Sequence, residues 1–366
     1  MNILWFTWKD RQHPLAGGAE IVNEELAKRL AGDGHHVTLV VGGFAGAASE
    51  ATIDGYKIIR LGNRYTLYPL AYRYYKQHLV GWADVVIDEV NTLPFCAKFY
   101  VKEPVIMLYH QLCREVWFHE MIPPLSWAGY LIEPLYVRLL SSLPAITISE
   151  STKQDLVRFG YDPKKVHIIS EGIQLQPAQD LGKISKYRLP TVLSLGALKS
   201  MKRTLHHIEA FELAKQRIPG LQLKIAGGVQ EKYGKKVLAR IAVSPFKTDI
   251  EYLGRVSAEQ KLELMQKSHV LIQTAVREGW GLTITEAASQ GTPAVVYDVA
   301  GLRDSVRHHQ TGLITAATPR ALADGIVQLL QSQALYQTLR QAAWEWSKTV
   351  TFEQCYRDFK QAAEIA

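Results

Sequence analysis

The chain has 366 residues, 47% of them apolar and 21% charged, with a formal net charge of +7. These values exclude wholesale disorder, no apolar run reaches the roughly 18 to 20 residues of a bilayer span, and the length favours two domains around two cores. The opening MNILWFTWKD is a short apolar stretch without a basic lead, so no signal peptide is expected. Cys96, Cys113 and Cys355 match no zinc spacing and cannot all pair, which suggests a reducing, cytoplasmic compartment. Residues 1–187 hold 19 Lys/Arg and 19 Asp/Glu, whereas residues 188–366 hold 23 and 16. The basic excess therefore lies in the C-terminal half, where it suits an anionic ligand. Scattered lysines and the lack of any helix-turn-helix, zinc-finger or RNA-binding signature argue against nucleic acid.

Strand-like and helix-like segments alternate from the start. Ile3–Trp8 is a continuous apolar run of the kind a fully buried parallel strand shows. Val22, Leu26 and Leu30 then recur every four residues on an amphipathic helix, which Gly32-Asp33-Gly34 ends before a strand at Val37–Val41. Further strands are expected at Lys57–Leu61, Val85–Asp88, Val105–Tyr109 and Ala145–Ser149, and Ser151 with Gln154 reads as a capping box for a helix Lys153–Phe159. Residues 176–190 lose the apolar period and read as a linker.

The alternation restarts with strand Thr191–Leu195, helix Leu205–Gln216 and strands Leu221–Ala226 and Ile250–Leu253. Ser257 with Gln260 caps a helix ending near Ser268; strand Val270–Thr274, helix Thr283–Gln290, its terminator Gly291 and strand Ala294–Tyr297 follow. Thr318-Pro319 opens one more helix and Thr351 with Gln354 the last. Two rounds of alternation predict two parallel-sheet α/β domains, 1–175 and 191–350, with ligands at the carboxyl ends of the strands and the cleft between the domains as the expected site.

Two loops carry the chemistry. In His13-Pro14-Leu15-Ala16-Gly17-Gly18-Ala19-Glu20, the paired glycines let the backbone approach a ligand and the following helix offers free N–H groups to an anion; an ordinary tight strand-to-helix turn is the alternative. No G-x-G-x-x-G follows either leading strand and no G-x-x-x-x-G-K-[ST] occurs, which disfavours a dinucleotide dehydrogenase and a P-loop nucleotidase. The second loop lies in Glu278-Gly-Trp-Gly-Leu-Thr-Ile-Thr-Glu286-Ala-Ala-Ser-Gln-Gly-Thr-Pro. Glu278, in the loop, suits sugar hydroxyls, and Glu286, within the helix, suits a ribose. The amides of Gly281, Leu282 and Thr283 are placed for a phosphate. The bland alternative is two glutamates on a solvated face.

This stretch resembles the E-x7-E region of the retaining nucleotide-sugar glycosyltransferases of family 4, which have the GT-B fold, and the resemblance spans nearly the whole chain. Gly17-Gly18-Ala19-Glu20 resembles the family's acceptor and phosphate loop, His110 the histidine near the donor sugar, and Ser149-Glu150-Ser151-Thr152 the S-x-x-T/S segment. Gly196-Ala-Leu-Lys-Ser-Met-Lys202 stands where the family has G-R-L-x-x-x-K, so Lys202 matches a diphosphate cation while Ala197 replaces the other; Lys199 and Arg203 are neighbours able to compensate. Gly254-Arg255-Val256 resembles the strand end that lines the base, and Gly301-Leu302-Arg303-Asp304 the turn that usually ends in Glu. The resemblance implies two Rossmann-like domains facing each other across a cleft. The C-terminal domain would hold the donor through Gly279 and Trp280 as well, and the last helix, 351–366, would pack back on the N-terminal domain.

The implied reaction is transfer, with retention, of a sugar from a UDP- or GDP-sugar to a glycan, lipid-linked or small-molecule acceptor, in cell-surface polysaccharide biosynthesis, with His110, Glu278 and Lys202 catalytic. No D-x-D occurs and the pairs His35-His36, His206-His207 and His308-His309 do not converge on one metal, so no metal and no cofactor are expected. No G-x-S-x-G supports serine-hydrolase chemistry. A catalytically idle binding subunit and a glycan phosphorylase are the alternatives. Between Asp54 and Asp84 there is no acidic residue, and the basic, tyrosine-rich segment 56–76 has the composition of a lipid-headgroup contact, so docking on an anionic membrane face is expected there; a solvated basic face beside core aromatics is the alternative.

Overall fold

The structure, a computed structural model, describes residues 1–365. The chain forms two compact units, one built from residues 1–114, 128–172 and the chain from Thr351 onward, the other from 115–127 and 173–350.

The strands of the first unit are β1 (Asn2–Phe6), β2 (His36–Gly42), β3 (Glu50–Ile53), β4 (Tyr56–Leu61), β5 (Val85–Val90), β6 (Val105–Tyr109), β7 (Ala145–Thr147) and β8 (Val166–Ile168). They lie in the order β3-β4-β2-β1-β5-β6-β7-β8, parallel except for β3 at the edge. Ile3, Leu4, Trp5 and Phe6 are all fully buried, as expected for a parallel strand covered on both faces. Leu4 and Phe6 join Val40, Val86, Met107 and Tyr109 in the core, while Trp5 stacks on Phe359 at 5.6 Å, a contact worth about 0.5–1.5 kcal/mol beyond its area. Phe359 lies on helix Phe352–Ala362, which is tied to helix Gly18–Gly32 by Arg29–Glu353 (3.1 Å) and to Asp33, just beyond it, by Lys360 (2.8 Å). The last helix is thus built into the first unit.

The second unit holds β9 (Thr191–Leu195), β10 (Gln222–Ala226), β11 (Ile250–Gly254), β12 (Val270–Gln273), β13 (Ala294–Tyr297) and β14 (Gly312–Thr315), all parallel, in the order β11-β10-β9-β12-β13-β14. Residues 176–190 are tied to this unit: Lys186 Nζ donates to the carbonyls of Ser268 and Gly291 (2.8 Å each) and to Thr292 Oγ1 (2.7 Å), and Trp344 Nε1 donates to the Ala178 carbonyl (2.8 Å). In both sheets the strand order reverses beside the leading strand, at β1/β5 and at β9/β12. Crevices at such switch points are where open α/β sheets bind ligands.

Three local expectations change. The helix after β7 spans Glu150–Arg158 and is capped by Ser149, whose Oγ accepts from Thr152 N (3.3 Å); Ser149 has extended backbone and Ser151 lies in the first turn. Helices Leu67–Tyr74, Leu125–Leu140, Glu231–Ala242 and Gln333–Ser347 join the expected set. The tyrosines of 56–76 are divided between core and surface. Tyr56 and Tyr75 are fully buried, with hydroxyls donating to Glu24 and Glu103, and Tyr68 and Tyr72 pack on Phe95 and Tyr100. Tyr65 stands mainly in solvent. Composition alone reads the segment as one surface; the fold divides it, with helix Leu67–Tyr74 packing against β2 and β4 while Tyr65 and Tyr72 stay exposed. Among the described residues, no helix is long and apolar enough to cross a membrane.

Candidate active site

In the second unit, the loops leaving β9 and β12 meet at the switch point. The segment after β9 turns through Ser200–Lys202 into helix Thr204–Lys215, and Thr274 Oγ1, just past β12, donates to the Lys202 carbonyl (3.0 Å). Val276 N donates to the Met201 carbonyl (2.8 Å), so the two loops are stitched backbone to backbone. This places Lys202 Nζ in an ion pair with Glu278 Oε1, joining two residues 76 positions apart. Lys199, Arg203 and Arg255 form no ion pair among the described residues; Lys199 and Arg203 flank Lys202 in the chain, and Arg255 lies against Gly228 after β10.

Helix Leu282–Ser289 begins at Gly281, whose φ of +95° is left-handed and suits glycine. Gln273 Nε2 donates to the Leu195 carbonyl (2.8 Å) and to Thr283 Oγ1 (3.1 Å), and Trp280 Nε1 to Thr285 Oγ1 (3.0 Å), fixing that helix start against β9. Glu286, inside the helix, pairs with Lys261 (2.7 Å) rather than with the Lys202–Glu278 pair. Glu278 N donates to the Ala300 carbonyl (3.0 Å), and Asp304 accepts from Gly301 N (2.9 Å), so the shorter carboxylate still closes its turn.

Gly196 follows β9 and Gly254 ends β11, on either side of Gly227, which follows β10 and which the sequence reading passed over. A Cβ on Gly227 would lie 1.9 Å from the Gly196 carbonyl oxygen, and one on Gly228 would lie 2.8 Å from Arg255 Nε. Two glycines directly after a strand were the available signal. Val256, next along, is partly buried against the core. His119, from residues 115–127, also belongs to this unit; its Nδ1 is 2.7 Å from Ser200 Oγ beside the Lys202 loop. Nothing in its local sequence marks it.

In the first unit, His110 follows β6 and is buried. Its Nε2 lies 3.0 Å from Asn23 Oδ1, so Nε2 carries the hydrogen, and Asn23 Nδ2 donates onward to Glu89 Oε2 (2.5 Å). Glu89 Oε1 is buried without a hydrogen-bond partner, 3.8 Å from His110 Nε2. Burial drives the His110 imidazole down to about 4 and the Glu89 carboxyl up to about 8. Both are therefore neutral at pH 7. Thr152 Oγ1 donates to the His110 carbonyl (3.4 Å) and accepts from Ser149 Oγ (2.9 Å), which gives the S-x-x-T segment its physical task. Asn23 and Glu89 were not anticipated. Their signal was a second carboxylate, after Asp88, in an otherwise apolar strand.

Gly17 and Gly18 open helix Gly18–Gly32, but the Gly17 amide donates to Glu20 Oε2 (2.6 Å), and Glu20 pairs with Lys9 (3.1 Å). The loop already supplies an anion of its own at that amide. Of the paired histidines, His207 is buried against Ser194 (2.6 Å) and His206 lies 3.0 Å from the Tyr297 hydroxyl. No group of three or more His, Cys, Asp or Glu is placed to hold a metal ion among the described residues.

Glu89 yields a signed pH prediction. Because its folded carboxyl is raised, the native protein keeps a proton that the unfolded chain releases above the usual carboxylate range. Stability is therefore lost as pH rises from about 4.5 towards 8. Glu89→Gln keeps an acceptor for Asn23 and cannot ionise. Its Tm is expected to exceed that of the parent by a margin that widens across this window and then levels off. Parallel Tm-against-pH curves would show that Glu89 is already ionised in the fold.

Two doubly wound parallel sheets, each with a loop cluster at its switch point, and a Lys–carboxylate pair with further cations nearby in the chain suit an anionic ligand. The comparisons with known proteins give the family. Residues 16–176 match the family "Glycosyltransferase Family 4" and residues 182–346 match "Glycosyl transferases group 1". An uncharacterized glycosyltransferase of Methanocaldococcus jannaschii is 23% identical over 90% of this chain and 89% of its own. A trehalose synthase of Pyrococcus horikoshii is 25% identical over 190 residues, a match covering 49% of this chain and only 45% of that protein. Among solved structures, the sucrose-phosphate synthase of Thermosynechococcus elongatus superposes with a TM-score of 0.80 at 19% identity, covering 98% of this chain and 97% of the other. HepE of Anabaena, solved with UDP and glucose, gives 0.73 at 15% identity with 100% of both chains covered. The chain belongs to the GT-B glycosyltransferases of family 4.

Proposed function

We propose that this glycosyltransferase moves a sugar, with retention and without a bound metal, from a UDP- or GDP-sugar to a glycan, lipid-linked or small-molecule acceptor of cell-surface polysaccharide biosynthesis. The second unit binds the donor and the first the acceptor. The observation that carries this reading is the Lys202–Glu278 pair at the β9/β12 switch point, with Lys199 and Arg203 beside Lys202 in the chain and without carboxylate partners among the described residues. A nucleoside diphosphate supplies the anion these cations lack, and the freed Glu278 accepts from sugar hydroxyls.

In the proposed reaction the donor's glycosidic C–O bond breaks as the acceptor oxygen bonds to the same face of the sugar. The leaving phosphate oxygen takes the acceptor's proton. Lys202 and the amides of Gly281, Leu282 and Thr283 hold the growing charge on the diphosphate, and Glu286 binds the ribose once it leaves Lys261. Neutral His110 hydrogen-bonds to the donor sugar. Gly196, Gly254, Arg255 and Val256 line the base, Gly279 and Trp280 shape the sugar pocket, and Gly17 and Gly18 belong with the donor-binding residues as part of an acceptor and phosphate loop. The buried or half-buried free thiols of Cys96, Cys113 and Cys355 suit a cytoplasmic enzyme.

A thermal-shift panel of UDP, GDP and ADP with their sugars, run in excess EDTA, tests the donor reading. UDP leads the panel because HepE was solved with it. A ligand at 100 times its dissociation constant stabilises by about 2.7 kcal/mol, so one nucleotide should raise Tm by several degrees, EDTA notwithstanding. No shift with any of the three would refute the donor site, and a shift that EDTA abolishes would refute metal independence.

A further inference from the structure

Helix Leu125–Leu140 is apolar on its outward face as well as on the side that packs Tyr136, Val137 and Leu140 into the core. Its protein-facing side carries its one acidic residue: Glu133 is buried and accepts from the amides of Cys113 (2.6 Å) and Arg114 (2.7 Å). Its outward side is apolar. Leu131, Leu135 and Leu139 recur every four residues, with Ile132 beside them, and each is between 49% and 66% exposed. Amphipathic helices place charge outward and such stripes inward, and a contiguous apolar surface of this kind marks a contact site.

Charge at one end of the stripe identifies the occupant. Arg138 is exposed on the helix itself. Lys98 Nζ donates to the Leu139 carbonyl and to Ser142 Oγ (2.8 Å each), and Lys165 Nζ to the Ser142 carbonyl (2.9 Å), so three cations gather where the leucines end. Exposed Phe99 sits beside Lys98. Apolar side chains bordered by long basic ones whose stems run along the surface match a bilayer boundary, with acyl chains against the leucines and phosphates against the cations. We propose that the outward face of helix Leu125–Leu140 docks this protein on an anionic lipid bilayer. The leucine stripe lies on a different helix from the 56–76 segment, its basic border at Lys98 and Phe99 adjoins Tyr100, on which Tyr72 and Tyr75 pack, and docking does not depend on which sugar is transferred.

The test is co-sedimentation of the full chain with vesicles of equal parts phosphatidylglycerol and phosphatidylcholine. The parent should pellet with them, and Leu131→Asp with Leu135→Asp should lower the partition coefficient at least about tenfold, since each leucine forfeits its transfer from water. Arg138→Glu should weaken binding less, and most visibly at low salt. Retained Tm and retained UDP-induced stabilisation show that the variants are folded and the donor site intact. Independently, an environment-sensitive dye on Leu135→Cys should shift to the blue when vesicles are added, whereas the same dye on exposed Val243→Cys should not. Failure of the parent to pellet, equal pelleting of the double Asp variant, or an unshifted dye at position 135 would each overturn the proposal. So would a dimer in sedimentation equilibrium that the double Asp substitution dissolves without any vesicle binding by the parent.

Discussion

Replacing Lys202 by alanine is expected to lower kcat on the order of 100-fold or more, with a smaller change in KM. Contacts that meet charge developing on a leaving group are typically worth about 3 to 4 kcal/mol and act on turnover rather than on ground-state binding. The family resemblance implies a second cation at the position of Ala197, and on the proposed reading Lys202 then bears more of the task. Its loss also strands Glu278, whose only ion pair among the described residues is with Lys202. Ala197→Arg in the Lys202→Ala background should recover part of the rate. If Lys199 or Arg203 shares the work, Lys202→Ala alone will fall short of 100-fold and the combined alanine variants will supply the difference. Near-normal kcat in the triple variant would show that the diphosphate is held elsewhere.

Gly301→Ala should cost the second unit about 3 kcal/mol or more. Gly301 has φ of +81°, which alone costs an L-residue on the order of 1–2 kcal/mol, and its Cβ would lie 2.1 Å from the Glu278 carbonyl oxygen, a backbone atom that cannot swing aside. Relief of that overlap must move the Glu278 loop, so donor turnover should fall with stability. Gly254→Ala is the internal control. It lies in the same unit, also left-handed at φ +67°, with nothing within 4 Å of the added methyl. Its stability loss should stay near the strain cost alone. Equal melting of the two variants would show that the Gly301 turn yields without moving Glu278.

Local signals determined much of what the sequence alone could establish. Long apolar runs of parallel strands set β6, β9 and β13 to the residue, because a strand covered on both faces needs no partner to be recognised. The caps at Ser257, Thr318 and Thr351 were equally legible, since a side-chain oxygen and an amide three residues on are near neighbours in sequence and in space. The E-x7-E stretch and Lys202 were legible as residue types in a fixed order. Tertiary structure decided what depends on partners far along the chain. It joined Lys202 to Glu278, left Glu286 on Lys261, brought Asn23 and Glu89 to His110, and pressed Gly227 against Gly196. It also divided apolar side chains between core and solvent. Tyr56 and Tyr75 went in and Leu131 and Leu135 stayed out, because a side chain's hydrophobicity is local whereas the surface that covers it is assembled from strands and helices distant in the sequence.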